Sequence, residues 1–270
     1  MEPMTAVLFG LMGISLLLDL YFAFLFLRIA ELREGPGQLI LAQTQAQIIL
    51  DLHWLTLNDV WSDKNSTTCQ IVGFFIYSGC VLACAYSAAI CVAVSQYFEK
   101  DKYPSLWRYH AAVLCLSLGL CVIMACTGGL GKSAFGDCSL RDGRWTELTQ
   151  LLILCVAAVI SIWASIRFVH RFRLNSRFTW NILLVSLVYL AQWIPSAILH
   201  FISYQQFRVT PPPDLLFTVR HRQIADLIAA TSTVVTIGIR LSYKPIRDAI
   251  LMNHLFRSGE YTSMQRIRIP

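Results

Sequence analysis

The stretch 69–98 carries no charged side chain over about thirty residues, and it constrains the fold more than any other feature. At a rise of 1.5 Å per residue, a helix of that length exceeds the roughly 30 Å hydrocarbon core of a bilayer. Its polar residues are small or neutral, among them Ser78, Gly79 and Ser87. Small residues let neighbouring helices approach closely. We expect a long, tilted membrane helix at the centre of a bundle.

Composition extends this expectation to the whole chain. Of the 270 residues, 56% are hydrophobic and 14% are charged, whereas soluble domains carry roughly 25% charged residues. The first apolar run follows MEPM directly, is too long for a signal peptide and ends at Arg28, so it should remain as a membrane helix. The formal charge of +6 is explained by membrane topology, and nucleic acid is not an expected partner.

Seven apolar runs have near the ~20 residues that a bilayer requires. They predict an all-α, integral membrane seven-transmembrane helix bundle over residues 1–257. The predicted spans are 4–28, 39–58, 69–97, 108–130, 148–169, 181–204 and 223–243. After the break at Lys244-Pro245, residues 245–256 predict a short amphipathic eighth helix on the cytoplasmic side, followed by a short polar tail over 258–270.

Charge and modification signals give the orientation. When the first turn lies inside, fifteen of the 22 Lys and Arg residues are cytoplasmic, so the N-terminus is predicted outside and the C-terminus inside. The sequon at Asn65 and the loop cysteines Cys69 and Cys138 then fall on the glycosylating, oxidising side. We expect a multi-pass plasma-membrane protein that is glycosylated at Asn65.

Cys69 and Cys138 predict a disulfide between the start of span three and the loop before span five. Cys126 is a possible competitor, and two unpaired thiols are the alternative. The other cysteines lie in apolar runs, where a free thiol packs as a small hydrophobe. No Cys or His spacing typical of zinc is present, so neither a metal nor a cofactor is expected.

Two aspartates lie near the middle of predicted spans. A carboxylate at that depth is costly unless it is paired, protonated or hydrated, so Asp19 and Asp51 are functional-site candidates. Facing helices would let the two share a proton or a cation. The alternative is a structural hydrogen bond to a neighbour such as Thr44 or Gln47.

Span six contains Trp193-Ile194-Pro195. A proline within a helix removes a backbone hydrogen bond and kinks it, so the two halves can swing. Trp193 and Pro195 are therefore candidate switch residues. The alternative is a packing tryptophan beside a tolerated kink.

These features together resemble a G-protein-coupled receptor. The segment CQIVGFFIYSG (69–79) is similar to the Cys-x-x-x-Gly-Phe start of span three in cyclic-AMP-receptor-like (class E) and related fungal and protist receptors. LVYLAQWIPSAI (187–198) resembles their sixth span. Ala93-Val94-Ser95 stands where rhodopsin-like receptors carry Asp-Arg-Tyr, and span seven has no Asn-Pro-x-x-Tyr, so the chain departs from that subfamily.

The resemblance implies a cell-surface receptor that passes binding of an extracellular small molecule or short peptide to a heterotrimeric G protein. The ligand-contact candidates are Tyr77, Tyr189, Gln192, Trp193 and Asp226. The candidates for contact with the G protein are Arg167, Arg171, Arg173, Arg177, Lys244 and Arg247. These basic residues could instead meet anionic lipid headgroups or reflect topology alone.

Other classes of heptahelical protein need particular residues at particular positions. A retinal protein needs a lysine in span seven, and none lies between Gln223 and Tyr243. A metal-dependent hydrolase needs His and Asp at one depth, a pattern the chain lacks, so an enzyme is not expected. The remaining alternative is a transporter or channel for a small solute or proton, with Asp19 and Asp51 on its path.

Overall fold

The computed structural model describes residues 3–56, 67–100, 105–132, 138–140, 144–172, 177–209 and 215–242. These residues form seven α-helices, one 3-10 turn and two short strands. The helices are α1 (Pro3–Arg28), α2 (Gly37–Thr56), α3 (Thr67–Lys100), α4 (Leu106–Cys126), α5 (Arg144–Phe172), α6 (Arg177–Val209) and α7 (Leu215–Ser242). The strands are β1 (Leu130–Lys132) and β2 (Cys138–Leu140), and the 3-10 turn is Ala30–Arg33.

Four helices are long and apolar enough to cross a membrane. By length and composition these are the stretches Ala6–Arg28, Thr67–Tyr97, Leu106–Cys126 and Leu148–Phe168 among the described residues. Shorter apolar stretches, Leu183–Leu199 and Ala230–Leu241, lie in α6 and α7. The chain is therefore a mostly helical, membrane-embedded protein.

The distribution of apolar and polar side chains over the helix surfaces agrees with a lipid environment. Large apolar side chains point outward, including Leu17 (68% exposed), Val159 (66%) and Trp107 (73%). Polar side chains are buried instead, among them Ser15 and Asp51. A helix in lipid gains nothing by hiding its apolar face, whereas its polar groups must find partners inside the protein.

Helix α3 lies at the centre, as its sequence predicts. It packs against α2, α4, α5 and α6, while α7 packs between α6 and α1. Gly79 allows the close approach of α2, because a Cβ at this position would lie 3.2 Å from Leu50 Cδ2 and 3.4 Å from the Ala46 carbonyl oxygen. Leu50 and Ala46 are themselves buried in this contact.

The turn between α1 and α2 depends on two glycines. Gly35 has a positive φ of 52°, a region that glycine enters without steric cost. Gly37 begins α2 with its Cα against the backbone of Leu32, where a Cβ would overlap the carbonyl oxygen. Leu32 packs against the apolar cluster that contains Phe26 near the end of α1 and Leu39 near the start of α2. Apolar contacts therefore also stabilise the turn.

Helix α4 ends earlier than the predicted span 108–130, which is a correction. The amide of Gly128 donates to the Ala125 carbonyl (3.1 Å) and that of Gly129 donates to the Met124 carbonyl (2.8 Å). Gly128 has φ 71°. This is the glycine-ended Schellman pattern, which closes a helix and redirects the chain.

The chain then forms an antiparallel hairpin that the sequence did not predict. β1 pairs with β2 in the register Leu130 opposite Leu140 and Lys132 opposite Cys138. The predicted disulfide between Cys69 and Cys138 is present, with Cα atoms 5.0 Å apart, and fastens this hairpin to the start of α3. Cys126, the possible competitor, is a free and exposed thiol.

The other predicted spans match helices within a few residues, except that α7 begins eight residues before the predicted start at 223. The predicted eighth helix at 245–256, the tail 258–270 and the glycosylation site Asn65 lie outside the described residues.

Candidate functional site

One face of α2 is polar along most of its length. Gln43, Thr44, Gln47 and Asp51 follow at helical spacing, and all four are buried. Residues three and four apart share one side of a helix. This face meets α1, α3, α6 and α7 in a cluster that we call the polar network. Its members are Ser15, Asp19, Gln43, Thr44, Gln47, Asp51, Ser87, Tyr189 and Arg240.

Asp51 lies at one end of the polar network. Ser15 Oγ donates to Asp51 Oδ2 (2.7 Å), and Gln47 Nε2 lies 3.5 Å from Asp51 Oδ1. Asp19 on α1 lies one helical turn beyond Ser15 and interacts electrostatically with Asp51. The structure therefore brings the two aspartates together, and it supplies the predicted partner Gln47 as well.

Thr44, the other predicted partner, belongs to a different part of the polar network. Its hydroxyl donates to the Ile40 carbonyl (2.9 Å) within α2. It also accepts from Arg240 Nη1 at 3.4 Å. Thr44 therefore contacts Arg240, whereas Ser15 and Gln47 contact Asp51.

Arg240 is buried near the end of α7, with 7% of its surface exposed. Its Nη2 donates to Gln43 Oε1 (2.7 Å), and its guanidinium lies 5.5 Å from the centre of the Phe22 ring. Gln43 Nε2 in turn donates to Ser87 Oγ (2.6 Å) on α3. A cation over an aromatic face is stabilised when both are desolvated. The positive charge of Arg240 also acts on Asp19.

The sequence did not single out Arg240, which was counted among the cytoplasmic charges at the end of span seven. The available signal was its place within an apolar stretch that continues to Leu241. The stripe at 43, 44, 47 and 51 was a second signal, because one polar face on a membrane helix needs partners from its neighbours.

Tyr189 and Trp193 extend the polar network into α6. Tyr189 Oη donates to Gln47 Oε1 (3.0 Å), and the Tyr189 and Trp193 rings lie 5.9 Å apart between centres. Both are buried. Pro195 lies inside α6 two residues beyond Trp193, where it leaves the carbonyl of Ala191 without its helical donor.

A small cavity of about 10 Å³ borders Trp193, and Cys80, Cys84, Gln150 and Leu154 line it with two further residues. It has room for one water at most. Gln150 Nε2 lies 3.7 Å from Cys80 Sγ across this space. The interior between α3, α5 and α6 is therefore closed around the tryptophan.

The other ligand-contact candidates are dispersed. Tyr77 packs under the hairpin with Val81, Met124 and Leu130. Gln192 is half-buried beside Trp193. On the described ligand-contact candidates, three buried atoms lack a hydrogen-bond partner: Tyr77 Oη, Gln192 Oε1 and Trp193 Nε1. Asp226 lies in α7, and its side chain is outside the described part.

The basic residues predicted to contact a G protein are only partly described. Arg167 is exposed on α5, and its guanidinium lies 5.3 Å from the centre of the Trp163 ring. An open groove of about 420 Å³ beside it is lined by Trp163, Ile166, Arg167 and His170. For Arg171 and Arg177 only the helical backbone is described. Arg173, Lys244 and Arg247 lie outside the described ranges.

The chemistry available to the polar network is proton exchange, charge pairing and hydrogen-bond rearrangement. Among the described residues, no three His, Cys, Asp or Glu side chains come together as metal ligands would. No protein-family model matches the chain, and no curated protein matches it significantly. The fold and the site define a helical membrane protein whose interior holds two carboxyl groups and one guanidinium.

Proposed function

We propose that this chain is a cell-surface G-protein-coupled receptor with seven membrane spans and an outer N-terminus. In this function, an extracellular small molecule or short peptide changes the packing of the helices, and a heterotrimeric G protein binds the altered cytoplasmic face. The observation that supports the proposal most directly is the polar network. It connects Tyr189 on α6, whose ring lies against that of Trp193, through α2 to Arg240 near the end of α7.

The ligand would act through the candidates Tyr77, Tyr189, Gln192, Trp193 and Asp226. Unpartnered atoms on Tyr77, Gln192 and Trp193 favour a ligand with its own donors and acceptors, since each buried unpaired group costs about 1–3 kcal/mol. The cavity that borders Trp193 is too small for such a ligand, so binding in this cavity would need α6 to move. Pro195 gives α6 a position at which to bend.

Signalling then follows from differential affinity. A ligand shifts a two-state protein only by binding one state more tightly than the other. In the structure Tyr189 donates to Gln47, and Gln47 lies beside Asp51, so a displacement of α6 would alter the contacts of the carboxyl pair. The basic residues Arg167, Arg171, Arg173, Arg177, Lys244 and Arg247, with the amphipathic helix at 245–256, would meet the acidic surface of the G protein.

The test is nucleotide exchange by purified G proteins in the presence of the protein in nanodiscs. Wild type is compared with Trp193→Ala and with the double variant Arg171→Ala/Arg173→Ala. Lys132→Ala, on β1 at the opposite end of the bundle, is the control. We expect exchange above background that falls in the first two variants and persists in the control. The same background rate with every G protein, with and without extracts containing candidate ligands, would refute the receptor.

The second candidate function is a transporter or channel for a small solute or proton. It is favoured by the buried carboxyl pair, because ionisable groups inside a membrane often mark ion or proton paths. Asp19 Oδ2 has no hydrogen-bond partner. Liposome flux that disappears in Asp19→Asn and Asp51→Asn, without any G-protein response, would support it over the receptor.

A further inference from the structure

Three ionisable side chains meet in the buried interior and their formal charges do not cancel. Asp19 and Asp51 are each 1% exposed and Arg240 is 7% exposed. With both carboxyls ionised, the trio carries one net negative charge. An uncompensated charge in such an interior is strongly unfavourable. One proton on the carboxyl pair makes the trio neutral.

The hydrogen bonds indicate which carboxyl holds that proton. Asp51 accepts from Ser15 and lies within reach of the Gln47 amide, as an ionised carboxylate would. Asp19 lies one helical turn beyond Ser15, the residue that donates to Asp51, and two neighbouring carboxyl groups in a buried interior do not both ionise readily. Asp51 has donors for its charge, so Asp19 is the carboxyl that holds the proton. Its Oδ2, buried and without a partner, is tolerated more easily on a neutral acid than on an anion.

The charged and titratable groups around the Asp19–Asp51 pair come from several helices. Arg240 on α7 is the positively charged group that interacts with Asp19. Tyr189 on α6 donates to Gln47, whose amide lies beside Asp51, and Cys80 and Cys84 on α3 border the cavity next to Trp193. Arg240 directs its Nη atoms to Gln43 and Thr44 on α2, so its hydrogen bonds go to neutral partners.

We propose that the Asp19–Asp51 carboxyl pair is a binding site for one proton, which joins α1 to α2 and whose loss rearranges the polar network. Release of the proton from Asp19 leaves two adjacent carboxylates, which repel each other. Arg240 then turns from Gln43 towards Asp19, and Gln43 loses the partner that holds it against Ser87. The packing of α1, α2, α3 and α7 is thereby linked to pH, whether the protein is a receptor or a transporter.

Infrared difference spectroscopy tests the proton directly. The protein in nanodiscs at neutral pH should show the carbonyl stretch of a protonated carboxylic acid. The band should disappear in Asp19→Asn, and also in Asp51→Asn, because the remaining aspartate then ionises to balance Arg240. The exposed Glu34 provides the control, since Glu34→Gln should leave the band unchanged. A spectrum without the band in wild type, or a band that survives both substitutions, would overturn the proposal.

Thermal unfolding at several pH values gives a second, independent measurement. The folded protein holds one more proton than the unfolded chain above the ordinary aspartate pKa of about 3.9. Stability must therefore fall as pH rises, by up to about tenfold in the folding equilibrium constant per pH unit. Asp19→Asn should remove this dependence. Stabilisation by sodium without any pH dependence would instead identify a metal-cation site and refute the proton site.

Discussion

At the residue scale, Gly79 is where α2 and α3 have the least room. Leucine at this position would drive its side chain into Leu50 and the Ala46 backbone. We expect Gly79→Leu to destabilise the protein by about 1–3 kcal/mol, as overpacking does, measured as a lower thermal unfolding midpoint in detergent. Gly119→Leu on α4 is the matched control, because a Cβ there has nothing within 4 Å. Equal losses in both variants would contradict a close contact at Gly79.

Tyr189 provides a second residue-scale prediction. Tyr189→Phe removes the donor to Gln47 and leaves the buried amide oxygen of Gln47 without it, at a cost of about 1–3 kcal/mol. The thermal midpoint should fall, and under the proposed function any ligand-stimulated nucleotide exchange should fall with it. Tyr21→Phe is the control, because Tyr21 is 42% exposed. A Tyr189→Phe variant as stable as wild type would show that the Tyr189–Gln47 hydrogen bond does not stabilise the packing of α6 on α2.

Single residues differ in how far the sequence reveals their role. Asp19 and Asp51 were predictable because a carboxylate in the middle of an apolar run has few explanations. Arg240 was not, because a basic residue near the end of a span also fits the positive-inside rule. Only the packing of α7 against α1, and its reach to α2, shows that the guanidinium points into the bundle.

At the element scale, the end of α4 depends on a left-handed residue. Gly128 has φ 71°, and a branched side chain in this conformation costs about 1–2 kcal/mol. Gly128→Val should therefore shift the hairpin and reduce formation of the Cys69–Cys138 disulfide, measured by thiol labelling under non-reducing conditions. Gly128→Asn is the control, since asparagine tolerates this conformation. Complete disulfide formation in the valine variant would contradict the coupling.

Helices were easier to predict than what joins them. Length and hydrophobicity alone gave all seven helices, because a bilayer requires a span of known length. The same criterion placed the end of α4 too late, at residue 130, because hydrophobicity does not register Gly128 and Gly129 as helix-ending residues. The hairpin of β1 and β2 depends on pairing between strands and on packing under Tyr77, and neither leaves a local pattern in three-residue strands.

At the scale of the whole molecule, the prediction concerns its topology. Under the proposed function, seven spans would place the two termini on opposite sides of the membrane, with the N-terminus outside by charge bias. Epitope tags at the two ends test this in intact cells. We expect the N-terminal tag to bind antibody directly and the C-terminal tag to bind only after permeabilisation. Two tags accessible on the same side would contradict an odd number of spans.

The arrangement of the helices around α3 was only partly predictable. The small residues of α3 correctly indicated a central position, because a helix surrounded by others needs close approach. The order of its neighbours was not predictable, since apolar faces in lipid carry little information about partners. The joining of α1, α2, α3, α6 and α7 by one polar network became visible only in three dimensions.

The disulfide at Cys69 also has a mechanical consequence. It anchors one end of α3 to the hairpin, and four helices pack against the rest of α3, so we expect α3 to move least. α1 packs on α2 and α7, and α7 packs on α1 and α6, so we expect α1 and α7, which have fewer neighbouring helices than α3, to move more. Any displacement should therefore be small between α3 and the hairpin and larger between α3 and the end of α7 that carries Arg240.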